Sequence, residues 1–503
     1  MEIQEQKIDE ANFEAAKALL DDREWRLNNL YYIEDKYGKV GLFKLNDAQC
    51  DLLENIHDLN IILKARQLGF STFILIFALD CCLFNSYFDA GLVADTIDNA
   101  KGLLRRIKFA YERINPEIKK VVQITTDNAE EIRFSNHSGV EVGVSLRSST
   151  KNLLHVSEYG KICAKQPEKA KEIKSGSLNT LAKGQFGFIE STAEGRSGDF
   201  YKKTEEARKI LEAGRKPVEM EWGFHFYGWF WDPDYTTTAE VHHTEEEEKY
   251  LFDLKDEHGI ELTEGQKAWY TLKAREQGDD MMKEYPSTPE EAFKAAKDGA
   301  YFAKDLSKLR QRKKIGVFEF SSVFAVHTFW DFGVNDSTTI WLMQVINGKF
   351  RFVGYYENSG EGIAFYLNWL DKWQTRHSAV WGRHYGPHDI DQRKQGEQVF
   401  TIKSVAKKLG YTFQTVTRTP DKLNSIQSVR TRLPDCEFDE AGCAEGILHL
   451  ENYSKEWDEK LGSFKSYPLH DEHSHGADGF MTFADGFIVP KKSTRKFEPE
   501  VVA

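Results

Sequence analysis

The sequence KARQLGFST, residues 64–72, connects an apolar strand to a helix through a glycine turn and decides the fold of the first half of the chain. The strand is predicted at residues 60–63, and the helix is predicted to begin at Ser71 and to include the apolar residues 74–83. In such a turn the free amides of the helix N-terminus face phosphate oxygens. The stretch therefore predicts a phosphate-binding loop, although a strand, a glycine turn and a helix also occur in many cores.

The loop lacks the lysine that usually follows its last glycine, because Phe70 stands there. Lys64, at the first position of the loop, can bring its ammonium group to the same oxygens, and Arg66 adds a second positive charge. The residues predicted to bind phosphate are Lys64, Arg66, Gly69, Ser71 and Thr72.

The composition indicates a protein with more than one domain. A chain of 503 residues with 40% hydrophobic and 13% aromatic residues suggests two or three domains. The formal charge of −13 disfavours binding of nucleic acid by bulk electrostatics but allows a local basic channel.

Cysteine usage and hydropathy indicate a soluble protein in a reducing, cytoplasmic setting. The six cysteines contain no CxxC pair, so neither a disulfide framework nor a zinc site is expected. The N-terminus has no secretory core, and no uninterrupted apolar run approaches the roughly 20 residues needed to span a bilayer. We therefore expect no membrane association.

Two α/β regions are predicted, separated by a connecting region. Residues 59–192 alternate short apolar strands with helices, which is typical of a parallel sheet covered by helices. Residues 218–314 contain an aromatic cluster followed by charged helices, and we interpret them as a small subdomain whose core is the cluster.

A second α/β region begins near residue 322. It is predicted to contain three consecutive strands, a helix, a strand, a helix and a strand, followed by late helices. These elements are predicted at residues 323–332, 338–345, 349–356, 361–375, 379–381, 403–409 and 413–417. This is the element order of an RNase H-like domain.

A hydrolase of nucleotides also needs a carboxylate that polarises water. Glu158 follows the apolar strand at residues 153–156 and is expected at the carboxyl edge of the sheet, beside the phosphate loop. Ser157 stands where Asp is common, so it could hold magnesium only through water, and metal binding should depend more on Ser71. Alternatively, Glu158 only caps the next segment.

Three further polar residues are candidates for nucleotide contacts. Ser191 and Thr192 end another strand at the same predicted edge, where hydroxyls can sense a γ-phosphate or simply cap the strand. Gln49 precedes the loop by one short helix, and its amide can both donate to and accept from an adenine edge. A surface glutamine is the simpler alternative.

Three carboxylates of the second region are predicted to form a metal site. Asp331 ends its first strand, Asp389 follows its fourth strand, and Asp478 lies on a late helix. Three such groups can hold two divalent ions roughly 4 Å apart and so support phosphodiester cleavage. Each Asp alone is more often a turn or cap residue. Because Mg²⁺ and Mn²⁺ prefer oxygen ligands, the histidines in the same stretches are not expected to bind the ions directly.

Together these motifs resemble the large terminase subunit of tailed double-stranded DNA bacteriophages, and more narrowly the branch with the loop lysine displaced to the start of the loop. The resemblance covers nearly the whole chain in family order. It is carried by residues 64–72, 153–160, 190–195, 284–293, 330–333, 386–389 and 474–478.

The resemblance implies an α/β fold with a RecA-like (ASCE) P-loop ATPase domain and an RNase H-like nuclease domain. We expect the ATPase domain at residues 1–217, a lid or linker subdomain at 218–317, the nuclease domain at 318–490 and a disordered basic tail at 491–503.

The resemblance also implies a function: an ATP-driven motor that packages viral DNA through a portal into a procapsid, and a nuclease that cuts the concatemer. The implied cofactors are ATP and Mg²⁺, or Mn²⁺ in the nuclease site. The implied partners are double-stranded DNA, the portal protein, the small terminase subunit and further copies of the chain in a pentameric ring. The implied location is the host cytoplasm.

Further residue roles follow from the resemblance. Ser191 and Thr192 would couple hydrolysis to movement, and Arg147 would reach into a neighbouring subunit's ATP site. Arg147 could equally be a solvated residue at a strand end.

Two other functions stay open. A helicase-like repair nuclease would combine the same two chemistries, but it needs a second RecA-like core, and no second phosphate loop occurs in the sequence. A non-catalytic adaptor that binds the portal and retains the fold is favoured by the departures at Phe70 and Ser157.

Overall fold

The computed structural model describes residues 10–147, 149–294, 298–333, 337–392, 401–417, 419–458, 461 and 463–488. The chain divides into two compact units, Met1–Ala296 and Lys297–Ala503. The predicted basic tail at residues 491–503 lies outside the described residues.

The first unit alternates strands with helices. Its strands are β1 (Tyr32–Glu34), β2 (Val40–Leu42), β3 (Leu59–Lys64), β4 (Asp89–Val93), β5 (Ile124–Asp127), β6 (Glu131–Phe134), β7 (Gly139–Gly143), β8 (Lys151–Ser157), β9 (Leu181–Ser191) and β10 (Trp222–Tyr227). Its helices are α1 (Glu10–Asp21), α2 (Arg23–Asn29), α3 (Asp47–Glu54), α4 (Phe70–Phe84), α5 (Ile97–Arg113), α6 (Pro116–Val121), α7 (Tyr159–Lys165), α8 (Pro167–Ser175), α9 (Gly198–Glu212), α10 (Glu245–His258), α11 (Glu264–Gln277), α12 (Met281–Glu284) and α13 (Pro289–Ala292).

Eight of these strands form one sheet in the order β10-β3-β9-β8-β4-β7-β6-β5. The six strands from β10 to β7 are parallel, and β6 and β5 extend the sheet in antiparallel pairing. Both faces are buried: Ile62 packs into one hydrophobic cluster, whereas its neighbours Ile61 and Leu63 pack into another. The predicted parallel α/β sheet is confirmed, and burial on both faces explains its nearly continuous apolar strands.

The aromatic cluster belongs to this sheet. We expected it to form the core of a separate small subdomain, but Trp222–Tyr227 is an edge strand that pairs in parallel with β3. Tyr227 and Trp229 are buried in a cluster shared with α4 and α5. The division of the chain into an ATPase domain, a lid and a nuclease domain with boundaries near residues 217 and 317 stays a prediction.

Strand order brings three chain segments to one edge of the sheet. β9 lies between β3 and β8, with Leu63 opposite Ser191 and Ser157 opposite Glu190. Because all three strands run in the same direction, their carboxyl ends meet at the same edge. The side chains that follow these strands can therefore form one site.

The second unit also combines a sheet with helices. Its strands are β11 (Ile315–Gly316), β12 (Val326–Asp331), β13 (Ser337–Ile346), β14 (Lys349–Ser359), β15 (Trp381–Gly386), β16 (Phe413–Thr415), β17 (Cys436–Asp439), β18 (Lys455–Asp458) and β19 (Ser463–Pro468). Its helices are α14 (Ala303–Gln311), α15 (Ile363–His377), α16 (Ile402–Lys408), α17 (Lys422–Arg432), α18 (Glu440–Asn452) and α19 (Ser474–Gly486).

The main sheet of this unit has the order β11-β17-β14-β13-β12-β15-β16. β13 is antiparallel to both β12 and β14. β15 and β16 continue from β12 in parallel pairing, and β17 pairs in parallel with β14. The predicted order of three antiparallel strands, helix, strand, helix and strand is thus confirmed, and the fold class is α/β in both units. None of the described helices is long and apolar enough to cross a membrane.

One strand was misplaced by the sequence analysis. We predicted it at residues 379–381, whereas β15 spans Trp381–Gly386. The strand contains the polar residues Arg383 and His384, so its sequence resembles that of a loop. His384 is nevertheless buried, with its Nδ1 2.8 Å from the hydroxyl of Thr328 on β12. A hydrogen bond inside the sheet offsets the cost of burying this polar residue.

Candidate functional site

The phosphate-type loop has the geometry that the sequence predicted. β3 ends at Lys64, and α4 begins at Phe70 after Gly69, whose φ of 81° is left-handed. This backbone conformation favours glycine, and a Cβ at Gly69 would also lie 2.6 Å from Nε2 of Gln49, which would have to shift. Phe70 is buried, and its ring centroid lies 4.5 Å from that of Tyr227. Position 70 therefore faces the core and not the loop.

Lys64 is the cation of this loop. Its side chain is buried, and its Nζ lies 3.1 Å from Oε2 of Glu190 and 3.4 Å from Oε1 of Glu158. Burial alone would lower the pKa of Lys64, but the charges of Glu158 and Glu190 raise it above its ordinary value. The ammonium group is thus charged and held at the carboxyl edge of the sheet.

Glu190 is the centre of the hydrogen-bond network, and the sequence analysis gave it no role. Its side chain is fully buried, and its Oε1 accepts hydrogen bonds from the hydroxyls of Ser71 at 2.7 Å and Ser157 at 2.8 Å. Burial alone would raise the pKa of Glu190, but Lys64 and hydrogen bonds, including one from His155, hold that pKa well below its usual range. Glu190 is therefore an ionised carboxylate inside the protein.

Glu158 stands directly after β8 in a left-handed backbone conformation, with φ 55° and ψ 41°. This conformation is uncommon for a residue other than glycine. Its side chain is 37% exposed, so it can contact solvent as well as Lys64. Desolvation raises the pKa of Glu158 against the opposing charge of Lys64, and Glu190 adds to the increase. A carboxylate with a raised pKa is a better proton acceptor.

A cleft of about 610 Å³ adjoins the network and is lined by residues of α4, α5 and the end of β8, including Ser71, Thr72, Glu158 and Arg106. Arg106 donates a hydrogen bond from its guanidinium group to the hydroxyl of Thr72. Arg106 belongs to the basic run at residues 101–108 of α5. No local pattern distinguishes Arg106 within that run, because only the packing of α5 against α4 directs it to the loop.

The other predicted nucleotide contacts lie beneath or beside the loop. Gln49 is buried; its Nε2 donates to the carbonyl of Gly69 at 3.0 Å, and its Oε1 accepts from the amide of Asn46 at 3.2 Å. Ser191 and Thr192 are buried where β9 ends. Gln49 thus supports the loop here, and contact of these three residues with a nucleotide stays a prediction.

The two remaining arginines of the prediction are exposed. The side chain of Arg66 is 57% exposed and lies 3.5 Å from Glu284, and that of Arg147 is also 57% exposed and lies 3.4 Å from Glu172. Arg66 is therefore accessible at the loop, and the role of Arg147 in a neighbouring subunit's site stays a prediction.

In the second unit α19, which carries Asp478, packs against β12, which ends at Asp331. Nδ1 of His475 lies 3.5 Å from Oδ2 of Asp331, and Nζ of Lys422 lies 2.5 Å from Oδ1 of Asp478. Burial and the charge of Asp478 raise the pKa of Asp331 to about 6, against the opposing effect of His475. Two close acidic groups that share this environment are suited to a bound cation.

Asp389 follows the neighbouring strand at the same edge of the sheet. It follows β15 in the short 3-10 turn His388–Asp391, and β15 pairs with β12, which ends at Asp331. Its Oδ1 is buried without a hydrogen-bond partner within the described residues. Among those residues the three aspartates do not form one set of ligand atoms lying within 4.8 Å of one another. Their joint metal binding stays a prediction.

A different set in the second unit does meet that distance. Ligand atoms of Glu357, Glu445 and His449 all lie within 4.8 Å of one another, and Nε2 of His449 is 2.8 Å from Oε2 of Glu357. Glu357 on β14 pairs with Thr339 on β13, which pairs with Asp331 on β12, whereas Glu445 and His449 lie on α18. The sequence analysis missed it because β14 and α18 carry these residues far apart in the chain.

No protein-family model and no curated protein sequence matches the chain. Among solved structures, it is similar to the large terminase of a thermophilic bacteriophage in complex with ADP, with 13% identity, a TM-score of 0.32, and coverage of 88% of this chain and 99% of that one. It is also similar to the large terminase ATPase domain of Thermus phage P74-26, with 12% identity, a TM-score of 0.31, and coverage of 49% and 94%.

The nuclease domain of the P22 large terminase is a third similar structure, with 14% identity, a TM-score of 0.26, and coverage of 34% of this chain and 84% of that one. Because the identities are low and these TM-scores lie below 0.5, the function has to be argued from the residues of this chain. Within the described residues both units have an α/β fold, with a strand–glycine turn–helix loop in the first unit and grouped acidic side chains in the second.

Proposed function

We propose that this chain is a phage large terminase subunit, which hydrolyses ATP to translocate double-stranded DNA and cuts that DNA with a metal-dependent nuclease. The observation that carries the proposal is Lys64, held between Glu158 and Glu190 at the edge where β3, β8 and β9 end. A displaced loop lysine beside a carboxylate with a raised pKa is suited to phosphoryl transfer to water.

In the first unit the loop amides, Lys64 and Arg106 would bind the phosphates of ATP, and Glu158 would accept a proton from the attacking water. The accessible face of Glu158 supports this role, since a general base has to reach water. The hydroxyl of Ser71 would hold the magnesium ion, which supplies charge neutralisation when it is bound.

In the second unit Asp331, Asp389 and Asp478 would hold Mg²⁺ or Mn²⁺ for phosphodiester cleavage. The support is the raised pKa of Asp331 beside Asp478, together with the unpaired buried oxygen of Asp389 among the described residues. Oxygen donors of this kind suit hard divalent ions.

The proposed assembly, partners and location follow from the family resemblance. We propose that the chain acts as a ring of copies, a pentamer, on a procapsid portal in the host cytoplasm, together with a small terminase subunit. Arg147 would then complete the ATP site of the neighbouring copy. Its exposed side chain on the first unit is compatible with such a contact.

The ATPase is tested with Glu158→Gln. We expect the variant to bind ATP and to lose hydrolysis by about 10²- to 10⁴-fold, the usual contribution of a general base. Steady-state ATPase assays and equilibrium binding of a fluorescent ATP analogue measure the two properties. Undiminished turnover would rule out this role for Glu158 and favour the non-catalytic adaptor.

The nuclease is tested with Asp389→Ala. We expect it to remove Mn²⁺-dependent plasmid cleavage while the ATPase rate is unchanged, because the residue lies in the other unit. Glu445→Gln is the comparison variant, and it should retain cleavage. The opposite pattern would move the nuclease centre to Glu357, Glu445 and His449.

A further inference from the structure

Position 157, at the end of β8, does not carry the carboxylate that magnesium–nucleotide sites normally contain. Mg²⁺ is usually held by one or two carboxylates together with phosphate oxygens and water. Ser157 occupies the position after the apolar strand where Asp is common, so β8 offers only a neutral hydroxyl there. A carboxylate has to come from another element if the site binds the ion normally.

β9 provides such a carboxylate at the right level of the sheet. Glu190 is the strand partner of Ser157, and both precede the edge at which the loop lies. The hydroxyls of Ser71 on α4 and Ser157 on β8 donate to the same oxygen of Glu190, at 2.7 and 2.8 Å. The two side chains predicted to hold magnesium therefore converge on one carboxylate oxygen.

The charge balance of the network agrees with this assignment. Glu190 is fully buried, and a buried carboxylate needs a positive partner. That partner is Lys64, 3.1 Å from Oε2. If Lys64 turns to the phosphates of ATP, Glu190 needs a replacement cation, and the hard oxygen donors around it suit Mg²⁺.

We propose that Glu190 supplies the carboxylate of the magnesium–ATP site and replaces the Asp that is missing at position 157. The inference rests on the proposed ATPase function and assigns the site a metal-binding residue on a neighbouring strand. Glu158 remains the residue for the attacking water, so the two carboxylates have separate tasks.

The test compares nucleotide affinity in Mg²⁺ and in EDTA, using the full chain and a fluorescent ADP analogue. We expect Mg²⁺ to tighten binding by at least about tenfold in the unaltered chain, the effect of one charge-assisted contact. Glu190→Gln keeps the hydrogen-bond acceptor for both hydroxyls but removes the charge, so it should bind equally in Mg²⁺ and EDTA. Glu117→Gln, on exposed α6, is the control and should behave as the unaltered chain.

A second variant distinguishes loss of the metal contact from loss of folding. Ser157→Asp in the Glu190→Gln background returns a carboxylate to the same place, and we expect it to restore the Mg²⁺ effect. Full Mg²⁺ dependence in Glu190→Gln, with its thermal melting retained, would overturn the inference while leaving the ATPase proposal intact. Absence of nucleotide binding in the unaltered chain would overturn the ATPase proposal and this inference with it.

Discussion

At the scale of residues, the displaced lysine explains how the loop keeps a cation without the usual one. Phe70 packs into the core against Tyr227, so the position after Gly69 cannot present a charge to the loop. Lys64 compensates from the end of β3, where two carboxylates hold its ammonium group. Arg106 adds a further positive charge from α5.

One prediction concerns the contribution of Arg106 to ATP binding. We expect Arg106→Ala to weaken ATP binding by about tenfold or more, because a hydrogen bond to a charged group contributes about 1.5–3 kcal/mol. The measurement is the KM for ATP, with thermal melting as a check of folding. Lys101→Ala, on the same helix but not among the residues that line the cleft, should leave KM unchanged. An equal change in both variants would mean that only the general charge of α5 matters.

At the scale of elements, helix α4 is fixed at two ends by different means. Its N-terminus follows the glycine turn, and near its C-terminus Asp80 is fully buried in an ion pair with Arg26 of α2. Nε and Nη2 of Arg26 lie 2.9 and 2.7 Å from the two carboxylate oxygens, and Tyr31 donates to Oδ1 at 2.7 Å. This bidentate pair ties the N-terminal segment to the helix that carries the loop.

Removing one partner of this pair should destabilise the first unit. Asp80→Ala leaves the Arg26 guanidinium buried without its carboxylate, and breaking a buried pair in this way costs about 3–5 kcal/mol. Chemical denaturation followed by tryptophan fluorescence measures the loss. Asp253→Ala, which removes an exposed i,i+4 partner of Lys249, should cost less than about 0.5 kcal/mol. Equal effects of the two changes would contradict the structural role of Asp80.

At the scale of the whole molecule, two compact units carry two separate sets of acidic groups. The first gathers Glu158 and Glu190 around a lysine, and the second places Asp331 beside Asp478. Each set consists of residues of one unit, so the ATPase and nuclease variants are expected to act independently.

The prediction for the whole molecule is that two inactive variants complement each other in a mixed assembly. If Arg147 acts on a neighbouring copy, Arg147→Ala and Glu158→Gln chains are each inactive, but a mixture of them should regain part of the ATPase activity. In the mixture an intact Glu158 meets an intact Arg147 supplied by the other variant, and an arginine in this position contributes about 10³–10⁵ in rate. ATPase rates across mixing ratios under ring-forming conditions measure the effect. Rates that never exceed the sum of the separate variants would place Arg147 outside the site.

Structural elements and turns that depend on neighbouring residues in the chain are predictable from the amino-acid sequence alone. Local patterns of hydrophobic period and turn residues predict the strand, glycine turn and helix at residues 64–72 and the carboxylate after β8. The same patterns predict the order of strands and helices along the chain of the second unit. Misplacement of β15 shows the limit of such patterns, since His384 is polar in sequence yet buried in the sheet.

Which charged groups contact each other depends on the tertiary structure. Glu190 contacts Ser71 across 119 residues, and Arg106 contacts Thr72 across 34, so neither pairing leaves a local trace in the sequence. The reason is physical: strand order and helix packing set distances between segments, and those distances determine whether a buried carboxylate is paired, hydrogen-bonded or left to bind a cation.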